Sequence, residues 1–331
     1  MSNMTRRHAI KLAGAGFGAS LMSGLVPKAL HAQARTQLFI GTAGKGGVFY
    51  PLGTAMADII SKYGADLDAM APQTAGTAEN MKLLQEGKIE LALAQADMAW
   101  AAAHGRLAGL PKRVAIRNLL GAHTKYLHLV TLADRGIAEV RDLKGRRLSV
   151  GMAGSETELK MLRVLEAHSV SPYDLRVRVQ FDEREAAQQL LDGTLDAFAI
   201  DDALPSPIVR ELTVHRARLR LVPTGSAVAK ITERHGPFYF AGAIPKGTYL
   251  GVDHDVPAAA AETLFVAHEL MAEDLAYEIT KVLLERSDEL ASASGVAREI
   301  TPVSAVRGSP VPFHPGALRY YREAGIAIPQ S

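Results

Sequence analysis

The sequence predicts an α/β protein whose sheet is mainly parallel. Short apolar strand candidates alternate with amphipathic helical stretches along the chain. The turns from strand to helix are rich in Gly, Ser and Thr, and no low-complexity run or repeat of solenoid length breaks the pattern. With 331 residues, 48% hydrophobic and 22% charged, the chain has the apolar mass for one or two cores; at roughly 150 residues per domain two lobes are expected, with a single large domain as the alternative.

Each unit of the alternation has its own justification. Leu38-Phe39-Ile40 is a strand candidate that runs into the turn from Gly41 to Gly47, after which Pro51 suits a helix start. Leu52, Ala55, Met56, Ile59 and Ile60 then share one helical face. A second unit follows: Thr77 as a cap, Met81 and Leu84 inward, Gly87 as a stop, then the strand Leu91 to Ala94. The middle of the chain reads as strands at 127–132, 147–150, 177–181 and 195–200, with helices over 156–168 and 183–191. A strand near 264–267 precedes a long helix over 273–290, and the Pro- and Gly-rich tail from Thr301 wraps the surface. With no long linker between halves, the chain is expected to cross between two lobes more than once, near 121–127 and 223–240. Residues 35–124 with 238–331 then form one lobe and 125–237 the other.

The first 34 residues read as an export signal. Arg6-Arg7 heads an uncharged stretch from Leu12 to Val26, and Ala32-Gln33-Ala34 supplies small residues at cleavage spacing. That stretch is too short to span and stay, since a spanning helix needs about 20 apolar residues. The paired arginines and the diluting Gly14, Gly16, Gly18 and Gly24 resemble a twin-arginine signal. Ala9 stands where that signal carries Phe, so the general secretory route stays open. Cleavage after about Ala34 leaves a periplasmic protein. Removing Arg6, Arg7, Lys11 and Lys28 turns 37 basic against 35 acidic residues into 33 against 35, a net charge of −2. No basic stripe then suggests nucleic acid. There is no Cys, hence no disulfide and no thiol chemistry.

Three strand-to-helix turns are the candidate site. Gly41 to Tyr50, GTAGKGGVFY, leaves backbone N–H groups unobstructed ahead of a helix start, which suits an anion. It is not a P-loop, because Gly46 follows Lys45 where Ser or Thr is needed, nor does it have dinucleotide spacing. A flexible turn explains it equally well. In the turn around Thr74, Gly76, Thr77 and Asn80, capping by Thr77 is a sufficient structural reading. In Gly154-Ser155-Glu156-Thr157-Glu158, a Ser155–Glu158 capping box is likewise sufficient. What favours function is number: three such turns in a fold that binds ligands at the C-terminal ends of its strands.

Enzyme motifs fail. His268-Glu269 lacks the second His of a zinc pair, since position 272 is Ala. Gly154-Ser155 and Gly225-Ser226 lack the flanking glycines of a nucleophile elbow. The 11 His show no metal spacing. The reading has no catalytic residue, metal or cofactor. Trp100 and Tyr320-Tyr321 are read as packing.

At these turns the chain resembles the TAXI family, the extracytoplasmic binding proteins of one class of TRAP transporters. The matching stretches are IGTAGKGGVFYPLG (40–53), TAGTAENMKLLQEGKIELALAQAD (74–97), DLKGRRLSVGMAGSETEL (142–159), LDGTLDAFA (191–199), IPKGTY (244–249), EDLAYEITKVLLE (273–285) and HPGALRYYRE (314–323). The resemblance implies a two-lobed periplasmic-binding-protein type II fold, each lobe a mainly parallel sheet flanked by helices, with a hinge between. It implies capture of a small organic acid, a glutamate-like amino acid or a dicarboxylate, and delivery to a membrane-embedded TRAP permease. Carried over by position, the ligand contacts are Thr42, Gly44, Gly47, Val48, Phe49, Tyr50, Thr74, Gly76, Thr77, Asn80, Gln95, Asp97, Gly154, Ser155, Glu156 and Thr157. The chain departs from the family at Asp201-Asp202, where members carry a small uncharged loop. Two acids beside a carboxylate site need an offset; Asp201 is therefore expected to receive an ammonium, with two solvated loop acids as the plainer reading. The alternatives to uptake are a ligand-binding partner of a membrane sensor and an enzyme on the same scaffold. The chain is expected to act as a monomer.

Overall fold

The computed structural model describes residues 35–45, 48–214 and 218–328. The export-signal reading over residues 1–34 lies outside them, as does Gly47.

The alternation is present. In chain order the elements are β1 (Thr36–Gly41), α1 (Phe49–Tyr63), β2 (Leu67–Met70), α2 (Thr77–Gln85), β3 (Leu91–Gln95), α3 (Ala96–Ala103) and β4 (Ile116–Leu132). Next come β5 (Arg147–Ser149), α4 (Glu156–Ala167), β6 (Val177–Val179), α5 (Glu183–Leu191), β7 (Ala197–Asp202), α6 (Pro207–Val214) and β8 (Leu219–Val222). Then follow α7 (Val228–His235), β9 (Phe240–Ile244), β10 (Val256–His268), α8 (Glu273–Glu285), α9 (Ser287–Ala293) and α10 (Pro315–Glu323).

One mixed sheet of ten strands carries the described residues, in the order β2-β1-β3-β10-β4-β7-β5-β6, with β8 on β4 and β9 on β10. Parallel pairing holds in two outer groups, β2-β1-β3 and β7-β5-β6. Between them lie the long strands β4 and β10, antiparallel to each other and to β7 and β3. The β4–β10 register shifts twice, between Thr263 and Leu264 and between Phe265 and Val266; irregularities of this kind bend a ladder and increase its twist.

Helices pack on the sheet through the faces that the periodicity marks. Leu52, Ala55, Met56, Ile59 and Ile60 of α1 are all buried, with Leu38 and Ile40 of β1 in the same cluster. Burying a side chain of this size contributes roughly 1.5–3 kcal/mol. Met81 and Leu84 of α2 are fully buried in a second cluster. A third cluster forms under α5 and α6 around Phe198 and Ile200.

Several boundaries differ from expectation. The strand expected over 127–132 begins at Ile116 and is 17 residues long; its apolar run continues back through polar positions that the sheet buries. The strand expected near 264–267 is 13 residues long, because the alanines of 258–261 are also buried between neighbours. The helix expected over 273–290 breaks at Arg286, where α8 ends and α9 begins. Pro51 is the third residue of α1, still in the turn that tolerates a missing N–H. The tail does more than wrap: Tyr321 of α10 is fully buried and its hydroxyl donates to the Leu119 carbonyl of β4.

Candidate functional site

A cavity of about 620 Å³ is lined by Ala43, Val48 and Phe49, by Gly76, Thr77 and Gln95, by Lys125 and Glu156, and by Ile200, Asp201, Asp202, Glu183, Pro207 and Ile208. These residues come from the openings of α1, α2, α4, α5 and α6, the C-terminal ends of β3 and β7, and the middle of β4.

The first two turns are braced from behind. Asn80, fully buried, donates through Nδ2 to the Thr42 carbonyl at 2.8 Å and to the Leu93 carbonyl at 2.9 Å. The Thr74 hydroxyl lies 2.8 Å from the Thr42 carbonyl and 2.7 Å from Asn80 Oδ1. The Thr42 hydroxyl donates to the Pro72 carbonyl at 2.7 Å. Thr42, Thr74 and Asn80, expected as ligand contacts, are thus committed to holding the turns together and stand outside the lining. Gly41 has no room for a side chain, since a Cβ there would meet Asn80 Oδ1 at 2.6 Å. Thr77 is not a cap: Gly76 at φ 107° occupies that position, and the Thr77 hydroxyl accepts from the Gln95 backbone N–H at 3.1 Å. Neither α1 nor α2 has a side-chain cap. Their first-turn N–H groups, with the positive end of each helix dipole, therefore open at the cavity wall.

Across the cavity, α4 opens on Ser155, whose Oγ accepts from the Glu158 N–H at 3.1 Å. Half the expected capping box is present; the Glu158 carboxylate instead accepts from the Gly154 N–H at 2.7 Å. Thr157 is buried and its hydroxyl accepts from the Asp201 N–H at 3.2 Å, tying α4 to β7. Gly44 and Gly154 are exposed and Tyr50 is half-buried; none of the three is in the lining.

Two ion pairs order the charge. Lys160 and Asp201, with side chains 0% and 1% exposed, meet at 2.6 Å. Lys125 meets Glu156 at 3.1 Å, both partly buried. Burial opposes the Lys125 charge, but the carboxylates of Glu156 and Asp201 outweigh it and hold the ammonium above its ordinary pKa. Beneath lies Asp97, which Arg163 approaches at 3.4 Å while donating to the Tyr239 hydroxyl at 2.8 Å. Burial, and then the Glu156 charge, push the Asp97 carboxyl above its usual range. Asp97 supports the floor and is not in the lining. Behind α6, neutral His128 accepts from the Tyr249 hydroxyl at 2.8 Å, and Tyr249 accepts from the Ser206 N–H at 2.7 Å. Burial drops the His128 pKa to about 4, and this chain fixes the loop that presents Pro207 and Ile208.

The structure therefore gathers Val48, Phe49, Gly76, Thr77, Gln95, Glu156 and Asp201 from the sequence reading into one lining. That reading missed Lys125, Lys160 and Glu183. Lys125 lies mid-strand, away from any turn, in a stretch that mixes polar and apolar residues, so no local pattern marks it. Lys160, four residues after Glu156, falls one helical turn further along the same face. The lining offers amides, carboxylates and a paired ammonium, groups that bind and orient a small polar molecule.

Among solved structures, the fold is similar to that of solute-binding proteins. A TctC solute-binding protein from Polaromonas is 16% identical over 81% of this chain and 88% of that one, with a TM-score of 0.54. XAC2383 from Xanthomonas citri, solved with ATP, is 12% identical over 88% and 96%, with a TM-score of 0.50. The periplasmic aliphatic sulphonate binding protein SsuA from Escherichia coli is 14% identical over 87% and 82%, with a TM-score of 0.48. At these identities the likeness speaks to fold alone: an α/β sheet flanked by helices. The chain belongs to the NMT1-like family, whose profile matches residues 40–325. Among the described residues, no helix is long and apolar enough to cross a membrane.

Proposed function

We propose that this protein is the extracytoplasmic solute-binding component of a TRAP-type transporter of the TAXI kind, exported to the periplasm and cleaved after about Ala34. It captures a small organic acid, a glutamate-like amino acid or a dicarboxylate, and hands it unchanged to a membrane permease. The carrying observation is that α1 and α2 open without side-chain caps onto the same cavity that α4 and β7 complete from other parts of the chain. Helix starts without a side-chain cap suit an anion, and walls drawn from 35–124 and 125–237 give a ligand purchase on both proposed lobes. Family membership and the solute-binding fold support the same reading.

A thermal-shift panel of amino acids and dicarboxylates tests it. A ligand that binds only the folded state stabilises it by about 2.7 kcal/mol at a hundredfold excess over Kd. At least one member of the panel is expected to raise the unfolding midpoint by several degrees. A panel that leaves the midpoint unmoved throughout defeats the proposal.

A further inference from the structure

We infer that the ligand of this cavity carries a protonated nitrogen and at most one carboxylate, so that the site rejects dicarboxylates. The inference rests on the cavity being the ligand site, and it narrows the class named above. Three acceptor atoms carry it. Gln95 Oε1, Glu156 Oε1 and Asp201 Oδ2 are buried and have no hydrogen-bond partner among the described residues. All three belong to residues that line the cavity. Gln95 and Asp201 are each more than nine-tenths buried, at 9% and 8% exposure. A buried acceptor left unpaired is costly, so a ligand that supplies donors is favoured over one that supplies more acceptors.

The charge balance points the same way. Lys125 is spent on Glu156 and Lys160 on Asp201. The remaining ionisable groups of the lining are Asp202 and Glu183, which leave it two negative charges. A dicarboxylate would bring two more into a partly desolvated space. An ammonium meets the orphan acceptors and reduces the excess, while one carboxylate is matched by the helix openings at Phe49 and Thr77. Gln95 and Thr77 are linked through the Gln95 N–H, so the acceptor side and the amide side of the site are held at a fixed spacing.

Matched compounds separate the parts of this statement: succinate, aspartate and asparagine on four carbons, and glutarate, glutamate and glutamine on five. Calorimetry on the mature chain is expected to rank asparagine or glutamine first, the amino dicarboxylate next, and the unaminated dicarboxylate at least tenfold weaker than the first. Glu156→Gln, which keeps the shape and leaves the Lys160–Asp201 pair untouched, is expected to weaken the best aminated ligand at least tenfold. Gln95→Met, which removes the amide acceptor at similar volume, serves as the second variant, with folding of both checked by circular dichroism. Succinate or glutarate binding as tightly as its aminated partner overturns the inference and leaves the carrier reading standing. So does aspartate or glutamate binding more tightly than its amide, or unchanged affinity in both folded variants. No binding by any of the six, with the fold intact, overturns the inference and the organic-acid carrier reading together.

Discussion

Consecutive residues of β4 face two different buried charge clusters. Lys125 belongs to the cavity cluster, where two of the acids have an ammonium each: Glu156 meets Lys125 at 3.1 Å, and Asp201 meets Lys160 at 2.6 Å. Thr124, on the opposite side of the pleat, belongs to a cluster in which Glu262 and Glu299 share one arginine. There Glu262 accepts from the Thr124 hydroxyl at 2.7 Å and Glu299 from the Thr124 N–H at 2.8 Å, while Arg307 comes no closer to Glu262 than 3.8 Å. Burial pushes the Glu262 carboxyl up to about 7, with the Glu299 charge adding to it and Thr124 and Arg307 opposing. The contrast lies in how each buried acid is met: Glu156 and Asp201 each have an ammonium within hydrogen-bonding reach, whereas Glu262 has only a shared, more distant guanidinium and burial pushes it up.

The sharpest way to break this comparison is Lys160→Met. Asp201 would be left buried without its cation, and removing one partner of such a pair costs about 3–5 kcal/mol. Urea unfolding should show that loss, and restoring much of it with Asp201→Leu in the same chain would assign it to the orphaned charge. A loss no larger than that of a surface substitution would mean that the ion pair does not hold this wall.

The second cluster should reveal itself through pH. The folded pKa of Glu262 lies above the ordinary 4.5, so its contribution to stability is complete below pH 4.5 and is lost as pH rises through about 7. The loss across that window amounts to roughly 3 kcal/mol. In Glu262→Gln the urea midpoint from pH 4.5 to 8 should lose this falling component, leaving the contributions of Glu299 and Asp97, which burial raises in the same direction, and the opposing ones of His123 and His128, whose charge burial disfavours. A variant with the wild-type slope would place the titration elsewhere. The smallest expected effect is at the cap that positions Glu156 and Thr157. Ser155→Ala should cost about 1 kcal/mol, read from the same unfolding curves, with the cavity charges unchanged.

How far the sequence carried the reading depended on the range of the interactions involved. The helical face of α1 was legible from Leu52, Ala55, Met56, Ile59 and Ile60, because burial there repeats at helical spacing. The three turns were legible because Gly, Ser and Thr are required locally where a strand gives way to a helix. β4 was only half legible, because His123, Thr124 and Lys125 are polar residues whose partners Thr263, Glu262 and Glu156 are distant in sequence. The same limit applies to the lining. Gly76, Thr77 and Glu156 sit where a helix starts, which spacing reveals. Which neighbours face the cavity and which brace it, as Asn80 does, is settled by contacts with Thr42 and Leu93 that no local pattern encodes.

The brace behind the first two turns also divides the labour of the cavity wall. Thr42, Thr74 and Asn80 lock one side into a fixed scaffold by bonds between turns, whereas Asp201, Asp202 and Glu183 on the other side project from the end of β7 and the start of α5, where Asp201 is tied to α4 through Thr157 and Lys160. A change at Asn80 would therefore unsettle the architecture of the first side, while a change at Asp202 or Glu183 would alter the charge of the lining and leave that scaffold in place.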